Sequence, residues 1–255
     1  IYESISRRLN QAQENELATL QLLKKCASRW SKEQYFNAFN QVQEYIKAGD
    51  CYQINLTQEF KATAQGTLLS KAEQLWQLTH APYAGYLKLD DFELLSCSPE
   101  LFIEFQHERK IKTRPIKGTM PRFDDPKQDQ ASKAKLSNSE KDQAENVMIV
   151  DLLRNDLSVY AETGSVKTTK LFEIESFNQV HHMVSEVTAT LKQDVNPMQM
   201  LLSALPGGSI TGAPKIRAMQ IIEELERAPR GAYCGSLGYL NFDGTGRWNI
   251  LIRSI

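Results

Sequence analysis

The sequence predicts an α+β fold in which antiparallel sheets pack with helices around a central cleft. Two observations support this class: several short runs alternate apolar and polar residues with a period of two, and longer runs repeat apolar residues at helical spacing. The chain has 255 residues, 41% of them hydrophobic, which is enough to bury a sizeable core. Disorder and a coiled coil are disfavoured.

The first predicted elements are a helix, a strand and a meander. Ser31 with Gln34 three residues later forms a capping-box pattern, and the apolar spacing continues to Gly49. The run "CYQINLTQEF" then alternates like a half-buried strand, with Tyr52, Ile54 and Leu56 on one face. Residues 83–118 contain three or four strand-like runs separated by turn signals, which predicts an antiparallel meander ending near Lys117.

The second half alternates between helices and strands. Residues 120–139 are polar and predict a surface loop or a short polar helix. Long helices are expected over residues 139–157 and 214–226, and a hairpin is expected around residues 243–246, between "AYCGSLGYLNF" and "RWNILIRSI". The residues expected on the buried faces of the two helices are Val147, Met148, Ile149, Leu152 and Leu153, and Ile216, Met219, Ile221, Ile222 and Leu225.

Charge and cysteine content exclude several functional classes. Lys and Arg total 30 against 31 Asp and Glu, so no basic field favours nucleic acid. Cys26, Cys51, Cys97 and Cys234 are widely spaced, which fits reduced thiols in a cytoplasm better than a zinc ribbon or a disulfide scaffold. No run reaches the ~18 apolar residues of a membrane span, so no membrane association is expected.

A glycine-rich loop, "PGGSITGAPK", comes directly before the last helix. Unpaired backbone N–H groups at such a position favour an anion. Gly207 and Gly212 have phosphate-loop spacing, but Ala213 stands where the phosphate-binding lysine is required, so a carboxylate is the better candidate ligand. A turn that only lets helix and sheet approach each other is the structural alternative.

Two carboxylates stand three residues apart near the start of the helix at residues 139–157. Asp142 and Glu145 share a face and are hard oxygen ligands suited to Mg²⁺. The alternative is that Asp142 completes a capping box with Ser139, as acidic first turns often do.

Five further side chains are candidates for a site, although each has an ordinary explanation. Lys117, in "TRPIKGTMPR", is either a solvated lysine or an amine placed for chemistry, and Glu100 lies at the seam between two strands. His182 stands in an apolar run, where a core histidine is the common case. Tyr233 and Arg253 lie on the two predicted hairpin strands, which could bring them together, and arginine binds carboxylates bidentately.

In this order the segments resemble the chorismate-utilising enzymes, a family that includes anthranilate synthase component I, aminodeoxychorismate synthase component I, and the isochorismate and salicylate synthases. The resemblance lies in long collinear blocks: "GDCYQINL", "SCSPELF", "TRPIKGT", "KDQAENVMIVDLLRNDL", "GSV", "VHHMVS", "PGGSITGAPKIRAM" and "GAYCGSLGYL...ILIRS". It implies chorismate as substrate and Mg²⁺ as cofactor.

The resemblance also implies roles for individual residues. Tyr233 and Arg253 would hold the pyruvyl carboxylate of chorismate beside a loop containing Thr211 and Gly212. His182 would lie near the ring of the substrate.

The remaining implied roles concern the metal and proton transfer. Glu145 would be a direct Mg²⁺ ligand, and Asp142 would act on the metal through water. Glu100 would be the general acid for the departing hydroxyl.

Two positions distinguish reactions within the family. Gln53 stands where water-adding members have a lysine, which disfavours water as nucleophile. Lys117, between Ile116 and the pair Gly118–Thr119, replaces an alanine usual in anthranilate synthases and resembles the aminodeoxychorismate synthase branch, with Thr119 near the C4 substituent.

This resemblance implies an enzyme of transaminase or lyase type that aminates chorismate at C4 to 4-amino-4-deoxychorismate, on the p-aminobenzoate route to folate. Ammonia would come from a glutamine amidotransferase partner. The alternatives are an anthranilate synthase component I and a chorismate-binding subunit without turnover.

The resemblance also predicts how the chain is divided. Residues 1–30 are expected to be a remnant of an N-terminal region, and residues 31–255 a chorismate-binding catalytic domain lacking its C-terminal strand and helix. A second acidic metal pair would belong to that missing segment, so the 255 residues alone are expected to have weak activity or none.

Overall fold

The computed structural model describes residues 3, 4, 6 and 17–255. The α-helices there are α1 (Lys32–Ala48), α2 (Ala72–Thr79), α3 (Pro126–Ser137), α4 (Glu140–Ser158), α5 (Pro197–Ala204) and α6 (Lys215–Glu226). Strands in the first half are β1 (Gln21–Leu22), β2 (Ala27–Ser28), β3 (Gln53–Ile54), β4 (Phe60–Lys61), β5 (Ala64–Gln65), β6 (Gly85–Lys88), β7 (Glu93–Ser96), β8 (Leu101–Phe105) and β9 (Lys110–Arg114). The later strands are β10 (Ile116–Pro121), β11 (Lys167–Ser176), β12 (Val180–Thr190), β13 (Gly212–Ala213), β14 (Gly238–Leu240) and β15 (Gly246–Asn249).

One seven-stranded antiparallel sheet organises the fold. Its order is β10-β12-β9-β8-β15-β14, with β11 on the other edge of β12. Strand β12 pairs with β10 along its first half and with β9 along its second half. Strands β9 and β10 are therefore one extended run interrupted at Pro115, which lacks the N–H that a ladder needs.

Helices α4 and α5 cover one face of this sheet and close the main core. The core includes Phe102 and Ile111 from the sheet, Val150 from α4, and Met200 and Leu201 from α5. Helix α4 lies against β12 and β10, the strands that present the site residues. The mixed helix and antiparallel sheet architecture confirms the predicted fold class.

Local sequence signals located most of the helices. The capping box of Ser31 and Gln34 opens α1, and Gly49 ends it with a left-handed φ of 82°. Helices α3 and α4 and the β14–β15 hairpin occur where they were expected, and Pro214 is the N-cap of α6. Among the described helices, none is long and apolar enough to cross a bilayer.

The strand predictions require three corrections. The run after Cys51 forms only the two-residue strand β3, and Tyr52 is 72% exposed, because pairing is limited to the short β13. The meander is interrupted, because β7 pairs with β6 and with the last residues of the chain instead of with β8. The final strand breaks after Asn249, and Arg253 has a left-handed φ of 51°.

The predicted buried faces of two helices are also partly wrong. Val147 is exposed on α4, and Ile216, at 75% exposure, and Met219 are exposed on α6. The buried positions of α6 are Ala218, Ile221 and Glu226, because a small residue is required where the helix meets Gly212. The predicted boundary between an N-terminal remnant and the catalytic domain lies at residue 30. Within residues 1–30, the structure does not describe residues 1, 2, 5 and 7–16.

Candidate functional site

A cleft of about 240 Å³ brings together six of the twelve predicted site residues. Its walls come from the segment after β3 and the segment before β8, from β10 and β12, from the glycine-rich loop, and from both ends of the last hairpin. The lining residues are Asn55, Pro99, Glu100, Ile116, Lys117, Thr119, His182, Ser209, Ile210, Tyr233, Ile252 and Arg253.

Lys117 enters the cleft from a β-bulge. The register between β10 and β12 passes from Ile116 opposite Val184 to Thr119 opposite His182, so one extra residue is inserted on β10. The Nζ of Lys117 donates to the Ser209 carbonyl at 3.0 Å. The lysine thus lies near the beginning of β10, not at the end of the last strand as the sequence predicted, because the chain continues in the sheet beyond the bulge.

Gly118 is required at this bulge for two reasons. Its φ of 90° is unfavourable for residues with a side chain. A Cβ atom there would lie 2.9 Å from Leu136 Cδ1 and 3.0 Å from Asp142 Cβ. The bulge therefore lets β10 approach the start of α4, where Asp142 stands.

Glu100 is buried at the seam between β7 and β8, as predicted. Glu100 is only 5% exposed, and its backbone N–H donates to Ser98 Oγ at 3.2 Å. Burial raises the pKa of Glu100 from 4.5 to about 7, although a hydrogen bond from Ser209 and the charge of Lys117 oppose the shift. Glu100 can therefore exchange a proton near neutral pH.

His182 pairs with Thr119 across the β10–β12 ladder. The Thr119 Oγ1 to His182 Nδ1 distance is 2.9 Å, and the imidazole packs against the Phe177 ring at a centroid distance of 5.4 Å. Burial, followed by the charge of Arg253, lowers the pKa of His182 from 6.5 to about 4. The imidazole is consequently neutral at physiological pH.

Tyr233 and Arg253 both line the cleft, but they do not lie on paired strands. They stand just outside the β14–β15 hairpin, and the Cys234 N–H donates to the Leu251 carbonyl at 2.9 Å between their segments. Burial raises the pKa of the Tyr233 phenol. The phenol and the guanidinium at one wall offer a donor pair for a carboxylate.

Gln53, Thr211 and Gly212 lie together at the β3–β13 pair, beside the cleft lining. A Cβ atom on Gly212 would lie 2.1 Å from the Gln53 carbonyl oxygen, so only glycine allows this contact. The Thr211 hydroxyl donates to the Gly207 carbonyl at 3.1 Å. Gln53 Oε1 is buried and has no hydrogen-bond partner within the described part of the chain.

Asp142 and Glu145 lie on the first two turns of α4, below the bulge. The Asp142 N–H donates to Ser139 Oγ at 3.3 Å, so the helix is capped, and Glu145 lies 3.8 Å from Lys141 Nζ. Within residues 3, 4, 6 and 17–255, no group of three or more His, Cys, Asp or Glu side chains could hold a metal ion. Two carboxylates nevertheless fit Mg²⁺, because this ion takes one or two from the protein when water and substrate supply the rest.

Sequence reasoning missed Asn55 and Ser209. Asn55 Nδ2 donates to the Ile210 carbonyl at 3.1 Å, and Ser209 contacts both Lys117 and Glu100. Both residues stand inside quoted motifs, but only the fold shows that they line the cleft.

A family model described as "chorismate binding enzyme" matches residues 2–255. Aminodeoxychorismate synthase component 1 of Escherichia coli (strain K12) is 51% identical over 89% of this chain and 50% of its own length. The same component of Klebsiella aerogenes is 49% identical over 93% of this chain and 52% of its own length. The chain thus spans about half the length of the curated relatives it matches.

A solved structure has a similar fold. The crystal structure of anthranilate synthase component I from Streptococcus pneumoniae TIGR4 superposes with a TM-score of 0.86 at 31% identity, over 99% of this chain and 56% of that one.

Proposed function

Because this chain belongs to the family of chorismate binding enzymes, we propose that its cleft binds chorismate and that the whole protein replaces the C4 hydroxyl of chorismate by an amine. The product would be 4-amino-4-deoxychorismate. The observation that carries this proposal is the placement of Lys117 in the cleft, sharing Ser209 as a neighbour with the protonatable Glu100.

The proposal assigns the two carboxylates of chorismate to two groups of side chains. Tyr233 and Arg253 supply a phenol and a guanidinium for the pyruvyl carboxylate. On α4, Glu145 and Asp142 would hold Mg²⁺, which would neutralise the ring carboxylate and draw electron density from the ring.

Direct exchange at C4 with retained position and geometry is difficult, and an amine in the protein offers a two-step route. Lys117 Nζ forms a bond to ring C2, the two ring double bonds shift, and the C4–O bond breaks. Glu100 gives its proton to the departing oxygen, which leaves as water. Ammonia then attacks C4, the double bonds shift back, and the C2–N bond to Lys117 breaks with its electron pair returning to Nζ. The surplus proton of the new ammonium group returns to Glu100, which regenerates the acid.

The neighbouring residues support these steps without taking part in bond formation. The Ser209 carbonyl accepts from Lys117 Nζ and so orients the amine. His182 is neutral, so it can contact the ring without placing a second cation beside Arg253. Thr119, held on His182, would contact the C4 substituent.

Ammonia is the proposed nucleophile because Gln53 stands where water-adding relatives have a lysine. A separate glutamine amidotransferase subunit would supply it. The name "component 1" of both relatives supports a partner subunit for those proteins.

An anthranilate synthase activity is the second candidate, supported by the fold of the Streptococcus pneumoniae enzyme. The 51% identity to aminodeoxychorismate synthase component 1 against 31% to that structure favours C4 amination. A chorismate-binding subunit without turnover is the third candidate. The presence of both an amine and a group that titrates near pH 7 in one cleft favours an enzyme.

The product decides among these candidates. The whole protein is incubated with chorismate, Mg²⁺ and ammonium, with and without an added aminodeoxychorismate lyase, and the products are separated by chromatography. We expect chorismate to be consumed without anthranilate fluorescence and p-aminobenzoate to form only when the lyase is present. Anthranilate would establish the second candidate, and calorimetric binding without consumption would establish the third.

A further inference from the structure

A buried ion pair lies behind one wall of the cleft. Arg230 donates to Glu226 through Nη2 to Oε1 at 2.6 Å and through Nε to Oε2 at 2.9 Å, a bidentate arrangement. The side chains are only 15% and 6% exposed. Neither residue lines the cleft.

The same guanidinium contacts three other segments of the chain. Its Nη2 donates to the Asn55 carbonyl at 2.7 Å, and its Nη1 donates to the Ile210 carbonyl at 3.0 Å. Nη1 also lies 3.4 Å from Cys234 Sγ. Asn55 lies 175 residues and Ile210 lies 20 residues from Arg230 in sequence, and one planar group fixes their positions relative to Cys234.

Glu226 fixes a further point on the same wall. Its Oε1 accepts from the Thr57 N–H at 2.9 Å and from Thr57 Oγ1 at 3.2 Å. Thr57 follows Asn55 by two residues, so the segment is held by both partners of the ion pair. The Asn55 side chain also donates, through Nδ2, to the Ile210 carbonyl.

Each segment held in this way carries a residue of the cleft. Asn55 and Ile210 line it directly, and Cys234 adjoins Tyr233. Cys234 also has a left-handed φ of 69°, an unfavourable conformation for a residue with a side chain, which the surrounding contacts must maintain. The wall that carries Tyr233 thus depends on groups outside the cleft.

We propose that Arg230 and Glu226 are positioning residues that set the carboxylate-binding wall of the cleft formed by Asn55, Ile210 and Tyr233. A role in stability alone explains the pair less well. Buried ion pairs contribute little net stability compared with apolar residues of similar volume, whereas the planar fork specifies geometry.

The test uses Arg230→Lys in the whole protein, and it rests on the proposed function for its substrate. Lysine retains a positive charge beside Glu226 but cannot make the forked contacts to two carbonyls. We expect KM for chorismate to rise about 10-fold or more while kcat stays within about 3-fold, because the wall contributes to substrate and transition state alike.

The matched control is Arg109→Lys. Arg109 also donates to backbone carbonyls, those of Leu191, Lys192 and Val195, but these lie outside the cleft. We expect the control to lower the melting temperature without changing KM. If both variants lose melting temperature alike and KM stays at the wild-type value in both, the positioning role is wrong.

A second variant separates charge burial from positioning. In Arg230→Met with Glu226→Gln, no charge is buried and Thr57 keeps an acceptor, so the protein should fold. If the forked guanidinium positions the wall, the KM of this double variant should be raised as in Arg230→Lys. A wild-type KM would overturn the proposal.

A crystal structure of Arg230→Lys tests the proposal independently of turnover. Displacement of the Tyr233 or Asn55 side chain by about 1 Å supports the proposal, and superposable walls refute it. A wild-type protein that does not consume chorismate contradicts the proposed function, and this structural comparison still decides the positioning role.

Discussion

At the scale of single residues, the cleft combines groups whose protonation is set by burial. Burial raises the pKa of Glu100 to about 7 and lowers that of His182 to about 4. The carboxyl is thus available as an acid near neutral pH while the imidazole stays uncharged. In the proposed reaction, this difference places the proton for the leaving hydroxyl on Glu100.

The first prediction concerns the activity of Glu100→Gln. A general acid must be protonated, so activity of the wild type should fall as pH rises through about 7. The variant should lose about 100-fold or more in kcat and should lack this alkaline limb, because proton transfer typically contributes that much. Profiles of kcat against pH check it, and a variant that retains the wild-type limb would assign the limb to another group.

Glu100→Gln should also remove a pH dependence of the unfolding free energy. The folded-state pKa of Glu100 lies above its ordinary 4.5. The stability that the protonated carboxyl contributes is therefore fully present below pH 4.5 and is lost as pH rises through about 7. Between these pH values the wild type should lose up to about 3 kcal/mol more unfolding free energy than Glu100→Gln. Urea denaturation at pH 5 and pH 8 measures the difference.

Residues of the cleft could be predicted from the sequence only where a motif was recognisable. Lys117 and Glu100 stand in distinctive strings, and the structure brings them to one cleft. Ser209 could not be assigned in advance, because its contact with Lys117 joins residues 92 positions apart. The Thr119–His182 contact, which spans 63 positions, likewise depends on strand pairing.

At the scale of elements, the bulge in β10 is the feature that brings the strand bearing Lys117 close to the helix bearing Asp142, one of the two carboxylates proposed to hold Mg²⁺. Gly118 has a left-handed φ and contacts Asp142 on α4. Any change at this position affects both the strand bearing Lys117 and the helix bearing Asp142.

We predict that Gly118→Ala lowers the free energy of unfolding and also raises the Mg²⁺ concentration that activity requires. The left-handed φ costs about 1–2 kcal/mol, and crowding against Leu136 and Asp142 costs about 1–3 kcal/mol more. Gly49→Ala is the matched control, since Gly49 has a φ of 82° with no atom within 4 Å of an added Cβ.

Denaturation curves and Mg²⁺ titrations of activity measure the two effects. The control should lose only the backbone contribution and keep the wild-type Mg²⁺ requirement. Equal losses in both variants, with equal Mg²⁺ requirements, would show that the contact with Asp142 has no consequence.

The sequence predicted elements better than it predicted their faces. Caps and periodicity located α1, α4 and α6, because these signals are local. The predicted face of α6 was partly wrong because Ala218 packs against Gly212 and Glu226 is buried by Arg230, and both partners lie outside the helix. Strand β3 was overestimated because the length of a strand depends on its partner, here only two residues long.

At the scale of the whole molecule, one antiparallel sheet positions the components of the site. Strands β10 and β12 carry Lys117 and His182, and α4, packed on the same strands, carries the two carboxylates. The chain spans about half the length of its curated relatives, so its activity is proposed for the whole protein.

We predict that turnover by the whole protein requires Mg²⁺ bound at α4. Chelation should stop chorismate consumption and added Mg²⁺ should restore it. Asp142→Asn and Glu145→Gln should each raise the Mg²⁺ concentration for half-maximal activity at least about tenfold. Glu140→Gln, a change to an exposed acid in the first turn of the same helix, is the control and should match the wild type. Unchanged Mg²⁺ requirements in both site variants would place the metal elsewhere.

The most direct test of C4 amination through a protein amine is the rate at which Lys117→Ala forms 4-amino-4-deoxychorismate. The whole protein is assayed at saturating chorismate with Mg²⁺ and ammonium, and chorismate affinity is measured by calorimetry. Lys167→Ala, which removes an exposed lysine of β11 in the same sheet, is the control. We predict that Lys117→Ala reduces the rate about 100-fold or more while affinity is retained, and that the control is unaffected. Normal formation of the same product by Lys117→Ala would contradict the account.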